Sequence, residues 1–355
     1  MSQTTGPVRP TAQRAPTLED VAAVAGVSRA TVSRVINGIR NVDPAIQETV
    51  HAAIAATGYV PNRAARSLVT KRTGSVALVV SEAEHRRFTD PFLGRVFTDP
   101  FFGRVVSGIL DVLRPRGVNL ILMLTESAES QAQLMGYLRQ GHVDGVMLIS
   151  THVDDPLPRL LTEAAMPAVL SRRPSTPMPI SYVEVAQQMG AGLAAHHLVG
   201  RGCRRIATIS GPMDMPASQE RLTGFRDAMA RCGYAYVPAV EGNFTQESGE
   251  RAMEQLIDEY YPDLDGLFVA NDLMAQGALL VLQDAGIKVP DQIAVVGFDD
   301  SSAALACRPP LTTIRQPLED MAGEMARLLL DQIDEPEHVT RSIIFEPRLV
   351  IRRSA

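Results

Sequence analysis

The sequence predicts a small all-α head followed by a larger α/β body, with parallel sheets, helices on both sheet faces and two lobes. Three observations carry this expectation. Residues 17–57 hold three short apolar patterns at helical spacing, each bounded by capping residues. From residue 75 onward, β-rich runs alternate with helical stretches, which is the order of a parallel sheet. The remaining span of about 280 residues is large for one such core, so it is expected to divide into two lobes with a ligand between them.

In the head, Thr17 and Asp20 make a capping box before Leu18, Val21, Ala22 and Ala25, and Gly26 ends that helix. Ser28 caps a second helix through Val32, Val35 and Ile36, which stops at Asn37-Gly38. Asp43 caps a third, with Pro44 at its first position and Ile46, Val50 and Ile54 on one face; Gly58 ends it. Residues 1–16 read as a disordered polar leader, 17–60 as the helical head, 61–72 as a linker and 73–355 as the body.

In the body, strands are expected at 75–80, 118–124, 143–149, 205–210, 264–269 and 293–297. Helices are expected near 103–114, 127–140, 186–199, 218–232, 246–259, 272–286 and 318–333. FTDPFLGRV at 88–96 is followed at once by FTDPFFGRV at 97–105, with eight of nine positions identical. Nine residues is roughly 2.5 helical turns, so the copies cannot share a face of one helix. The second copy is expected to lead into the helix at VVSGILDVL. The first is expected to bulge as a loop, or else to extend a strand or helix end.

Composition narrows the class. At 355 residues, 45% apolar and 21% charged, the chain is ordinary soluble globular protein. No stretch reaches the ~18 apolar residues of a membrane span, and the first residues lack the apolar core of a signal peptide. Cys203, Cys232 and Cys307 are odd in number and far apart. That excludes a disulfide framework and common zinc spacings, and fits a reducing cytoplasm. Neither metal nor cofactor is expected. Residues 1–72 carry nine Lys and Arg against four Asp and Glu, a net +5; the remainder carries 25 against 36, a net −11. A basic head on an acidic body implies that the head alone meets a polyanion.

LEDVAAVAGVSRATVSRVING (18–38) has helix-turn-helix spacing. Ala22 and Ala23 allow close helix approach, Gly26 permits the turn, and Val27, Val32 and Val35 lock the pair. Arg29, Ala30, Ser33, Arg34 and Asn37 then project outward from a helix that fits a major groove. Arginine suits guanine O6 and N7, and alanine a thymine methyl. Thr31 and Ser33 suit phosphate contact or helix capping, as does Ser28.

These residues, with VDPAIQETVHAAIAATGYVPNRAARSLVT (42–70), resemble the lactose/purine repressor family of bacterial regulators. The resemblance continues through HVDGVMLIS (142–150), HLVGRGCRRIATISGP (197–212), RLTGFRDAM (221–229), FVANDLMAQGAL (268–279), KVPDQIAVVGFDD (288–300) and PPLTTIRQP (309–317). It implies a body like periplasmic sugar-binding proteins, and a homodimer whose heads read a near-palindromic double-stranded operator. It implies base contacts at Arg29, Ala30 and Arg34. It also implies a hinge helix at 61–68 in which Leu68 wedges into the minor groove. Asn62, Arg63 and Ala65 fall in that segment: Arg63 offers charge to phosphate, and Ala65 allows close contact across a dimer.

In the body, Ser81, Asn271 and Asp299 follow strands, where ligands bind in open α/β sheets, and Arg221 opens a helix after a Gly-Pro loop. Carboxylate, amide and guanidinium together can hold vicinal hydroxyls. The resemblance implies effector contact at Arg221, Asn271 and Asp299, and a pocket lined by Phe101, Arg173, Phe244 and Gln316. Alternatively, Asp299 and Arg221 only pair across the cleft. Two departures stand out: Val185-Ala186 replaces an Asp-Asn pair common in the family, and tryptophan is absent. Sugar stacking would fall to Phe101, Phe102 or Phe244, with Phe92 of the first repeat a competitor.

The expected function is a transcriptional regulator, most simply a repressor, controlled by a sugar, nucleobase or other metabolite. The rivals are an α/β enzyme with an accessory head and a transporter's solute-binding protein. The first lacks a Walker A loop, a G-x-G-x-x-G after a strand and a G-x-S-x-G elbow. The second is opposed by the basic helical head.

Overall fold

Each helix of the head starts at its capping residue. A computed structural model describes residues 14, 16–36, 42–60, 72–82, 99–150, 152–335, 337 and 339–355. The chain forms two units, Met1–Gly74 and Ser75–Ala355. In the first, α1 is Leu18–Ala25, α2 Arg29–Ile36 and α3 Pro44–Thr57. The Thr17 hydroxyl accepts from the Asp20 N–H at 3.4 Å, and the Asp20 carboxylate accepts from the Thr17 N–H at 2.7 Å. Gly26 ends α1 at φ 65°, a conformation that costs any other L-residue about 1–2 kcal/mol. Ser28 Oγ accepts from the Thr31 N–H at 3.1 Å, and Asp43 Oδ1 from the Ala45 N–H at 2.8 Å.

Val21, Ala22, Ala25, Val32, Val50 and Ala53 form the buried core, with Leu18, Val27, Val35, Ile54 and Tyr59 packed against it. Two expectations need correction. Ala23 is exposed, so Ala22 alone admits the close approach: adjacent residues lie about 100° apart around a helix and cannot share one face. Ile46, in the first turn of α3, is also exposed.

The second unit contains two six-stranded sheets. The first, in the order β11-β5-β4-β3-β1-β2, is parallel throughout. It joins β1 (Ser75–Ser81), β2 (Asn119–Thr125), β3 (Val146–Ser150), β4 (Ala168–Leu170), β5 (Ser181–Val185) and β11 (Ser342–Phe345). The second, in the order β12-β10-β9-β8-β6-β7, joins β6 (Ile206–Ser210), β7 (Ala239–Glu241), β8 (Gly266–Val269), β9 (Ala294–Asp299), β10 (Thr312–Arg315) and β12 (Arg348–Val350). Its edge strand β12 runs antiparallel to β10, a departure from the all-parallel expectation.

The helices are α4 (Pro100–Leu113), α5 (Ala128–Arg139), α6 (Leu157–Glu163), α7 (Gln187–Gly200), α8 (Pro216–Arg231), α9 (Gln246–Tyr260), α10 (Asp272–Asp284), α11 (Ser302–Ala306) and α12 (Leu318–Asp334). Each sheet has two cores, one per face. For the first sheet, one core includes α4 and α12, and the other includes α5 and α6. For the second, α9 and α10 contribute to one and α7 and α8 to the other. β1 and β3 are buried along nearly their whole length, as strands covered on both faces must be. No helix among the described residues is long and apolar enough to cross a membrane.

The second repeat copy does lead into a helix. Asp99 caps α4 by accepting from the Phe101 N–H at 2.9 Å, and Pro100 takes the first position. The first copy, the leader except Arg14 and Pro16, and the hinge segment except Arg72 lie outside the described residues.

The chain passes between the sheets three times: from β5 to α7, from β10 to α12, and from β11 to β12. Glycines let helices meet closely beside these crossings. A Cβ on Gly108 of α4 would collide with the Glu319 backbone of α12, and one on Gly224 of α8 with the Gln188 backbone of α7.

Candidate functional site

On the head, α2 presents Arg29, Ala30 and Arg34 to solvent, together with its capping residue Ser28; Thr31 and Ser33 are half-buried. The Thr31 hydroxyl sits 2.9 Å from Ser28 Oγ, so both belong to the cap. Arg29 Nε pairs with Glu19 at 3.0 Å, both side chains being well exposed. Such a pair contributes at most about 1 kcal/mol and is readily exchanged for another anion. Asn37, Asn62, Arg63, Ala65 and Leu68 lie outside the described residues.

In the second unit, a cavity of about 570 Å³ opens between the sheets. It lies beyond the carboxyl ends of β4, β5, β8 and β9, where open α/β sheets bind ligands. One wall is apolar, built from Phe101, Val105, Ile149, Leu318, Met321 and Met325. The Phe101 and Phe102 rings meet edge to face, with centroids 5.2 Å apart.

The opposite wall is a ring of three hydrogen bonds closed by one ion pair. Arg221 Nε donates to Gln187 Oε1 at 2.8 Å, and Gln187 Nε2 to Gln316 Oε1 at 3.4 Å. Gln316 Nε2 donates to Asp299 Oδ1 at 2.6 Å, and Arg221 Nη1 closes the ring 3.6 Å from the same oxygen. Gln187 and Gln316 stand at two of the three crossings. Arg221 is 5% exposed; it also donates to the Ala270 carbonyl and lies 3.9 Å over the Phe298 ring. Burial lowers the pKa of its guanidinium, against the pull of Asp299. Burial pushes the Asp299 carboxyl up to about 6, Arg221 opposing it. Behind it, burial and the Asp299 charge raise Asp272, which accepts from the Thr313 hydroxyl and the Ser301 N–H.

Asn271 caps α10 through the Met274 N–H at 2.9 Å and donates to the Phe244 carbonyl at 3.0 Å. It thereby holds Phe244 at φ 68° against the cavity; Asp299 also has positive φ, 115°. Backbone strain of this kind concentrates where a ligand must be met by fixed groups. Arg104 of α4 clamps the same region, donating to the carbonyls of Asp299 at 2.9 Å and Gln316 at 3.1 Å. Its pair with Glu319 at 2.6 Å holds that carboxyl below the usual range.

The cavity therefore gathers Phe101, Arg221, Phe244, Asn271, Asp299 and Gln316. It does not gather Ser81 or Arg173. Ser81 ends β1 in register with Thr125, buried inside the sheet. Arg173 faces solvent and pairs with Glu184 at 3.4 Å; its neighbour Arg172 lines the cavity instead. Asp299 and Arg221 belong to the same lobe, so they do not pair across the cleft. Gln187 and Arg104 escaped the sequence reading. Gln187 follows the Val185-Ala186 departure by one position, and Arg104 lies inside the repeated motif.

Other reactive groups are quiet. Burial pushes the Cys203 thiol up to about 11 and Cys307 to about 12, and lowers His197. Among the described residues no group of His, Cys, Asp and Glu has the arrangement of a metal site.

A helix-turn-helix unit joined to a two-lobed α/β body with a polar-walled cleft defines a class: DNA-binding regulators that carry their own small-molecule sensor. Residues 17–62 match the model of bacterial regulatory proteins of the lacI family, and residues 195–355 a periplasmic binding protein-like domain. The chain is 46% identical over 346 residues to the HTH-type transcriptional regulator CelR of Thermobifida fusca, covering 96% of this chain and 99% of that protein. A solved CelR-cellobiose complex superposes with a TM-score of 0.73 at 44% identity, covering 96% of this chain and 100% of that one. A lac repressor dimer bound to operator and the anti-inducer ONPF gives 0.81 at 27% identity, covering 96% and 99%. The chain belongs to the LacI family of bacterial regulatory proteins, and it is a DNA-binding transcriptional regulator.

Proposed function

We propose that this chain is a cytoplasmic homodimeric repressor, acting by binding and not by catalysis, whose operator affinity is set by a neutral sugar in the cavity. Cellobiose is the first candidate, since the CelR relative is solved with it. The observation that carries the reading is the preformed ring of Arg221, Gln187, Gln316 and Asp299 facing an aromatic wall. Alternating donors and acceptors suit vicinal hydroxyls, and Phe101 or Phe244 suits the apolar face of a sugar ring.

On the head, Arg29, Ala30 and Arg34 read base edges, with Asn37 at the helix end. Ser28, Thr31 and Ser33 position the helix on phosphate. Residues 1–16 are a leader and 61–72 a hinge, in which Asn62, Arg63 and Ala65 meet the backbone and Leu68 the minor groove. Effector binding shifts lobe closure about the three crossings, and with it the spacing of the two hinges. Such coupling between sites is typically worth about 1–3 kcal/mol. A mobility shift on the chain's own promoter DNA, titrated with cellobiose, tests the reading. A near-palindromic footprint released by the sugar is expected, and a footprint indifferent to every sugar tried would refute it.

A further inference from the structure

Arg221 is partnered before any ligand arrives: its Nε meets Gln187, and its Nη1 the Ala270 carbonyl and the Asp299 carboxylate. A second pair of charges in the same cavity is not. Arg172, two residues beyond β4 in the first lobe, and Glu220, on α8 in the second, both line the cavity and are both half-buried. Each is the other's strongest charged neighbour. Yet among the described residues they form neither a hydrogen bond nor an ion pair within 4 Å. Partly desolvated charges left in this state are costly, so each calls for a partner. Arginine offers five N–H donors and a carboxylate about four acceptor sites. What fits between them must accept from one and donate to the other.

We propose that Arg172 and Glu220 form a second effector subsite, one half on each lobe, that selects a neutral hydroxyl-bearing group and rejects a phosphorylated one. The proposal rests on the cavity being the effector site. A hydroxyl accepts from Arg172 and donates to Glu220. A phosphate only accepts; it would satisfy Arg172 but face Glu220 and, beside it, Glu184. Because the two residues belong to different lobes, a ligand held by both also ties the lobes together.

Calorimetric titration of the full-length protein with cellobiose, glucose and the 6-phosphate of each tests this. Wild type is expected to favour the neutral member of a pair. Arg172→Ala should weaken cellobiose binding by roughly tenfold to a hundredfold, the usual range for a hydrogen bond to a charged group. Glu220→Gln, nearly isosteric and retaining an amide, should narrow the discrimination against phosphate about tenfold, which a merely structural role would not do. Cellobiose binding at wild-type affinity in both variants, or a wild-type preference for phosphate, overturns the subsite and leaves the reading of the cavity standing. Failure of wild type to bind any of the four overturns both.

Discussion

At the scale of single residues, the two sites are built on opposite physical terms. The α2 surface is solvated, so Arg34 costs little to hold ready and its loss removes a contact and little else. Arg34→Ala is expected to weaken specific operator binding by about 1–3 kcal/mol while non-specific DNA affinity changes little; fluorescence anisotropy on operator and scrambled duplexes measures both. The cavity is desolvated, and there a charge costs free energy. Burial raises the Asp299 carboxyl to about 6, so the folded body holds a proton that the unfolded chain has released. The sign follows from linkage: body stability from this group is fully present below the ordinary value of 3.8 and is lost as pH rises from there through about 6. Sugar hydroxyls need the carboxylate as acceptor, so effector affinity should run the other way and fall on acidification through the same range. Melting curves and titrations across that range should diverge in wild type; Asp299→Asn should flatten the effector profile and reduce the stability slope without abolishing it, because buried Asp272 is raised as well.

At the scale of elements, glycines fix the angles that place these residues. Gly26 adopts φ 65° with open space around it, so Gly26→Ala meets backbone strain and no clash. It should destabilise the α1–α2 corner by about 1–2 kcal/mol, read as faster amide exchange there. Gly108 differs, because a Cβ there would strike the Glu319 backbone. Gly108→Ala should push α4 from α12, loosen the Arg104 clamp on Asp299 and Gln316, and lower both melting temperature and effector affinity. A melting temperature equal to wild type would show that the helix contact is not tight.

For the whole molecule, the basic head and acidic body divide labour: one meets a polyanion, the other repels it. Operator affinity should fall steeply with salt, with a log–log slope of about −0.9 per phosphate neutralised. Arg63→Ala, present in both protomers of the dimer, should make that slope shallower by about two if each copy meets one phosphate. An unchanged slope would remove Arg63 from the DNA contact.

Much of the architecture was legible in the chain. The three head helices form where Thr17, Ser28 and Asp43 cap them, because capping is local chemistry between residues two or three apart. The long strands β1, β3 and β9 and the helices α4 to α10, α6 excepted, follow from apolar runs and periodicity. The short strands β4, β5, β7, β10, β11 and β12 were missed, since three to five residues carry too little pattern and form only when a neighbour supplies the ladder. In the cavity, Asn271 and Asp299 were readable because strand ends point to the cleft; Arg221 reaches it from the second turn of α8, which starts at Pro216 and is not opened by Arg221 as expected. The error at Arg173, with Arg172 in its place, is a one-residue slip that reverses which way a side chain faces just beyond a strand.

The sequence by itself determined where the three head helices begin, which face of α2 is solvated and how charge divides between head and body, because all three depend on neighbours a few positions apart. The ring from Arg221 through Gln187 and Gln316 to Asp299, and the placing of Arg172 and Glu220 on one cavity, were decided only by the tertiary structure. Those partners lie tens of residues apart, and what joins them is the order of strands in two sheets and the three crossings between them, which no local pattern records.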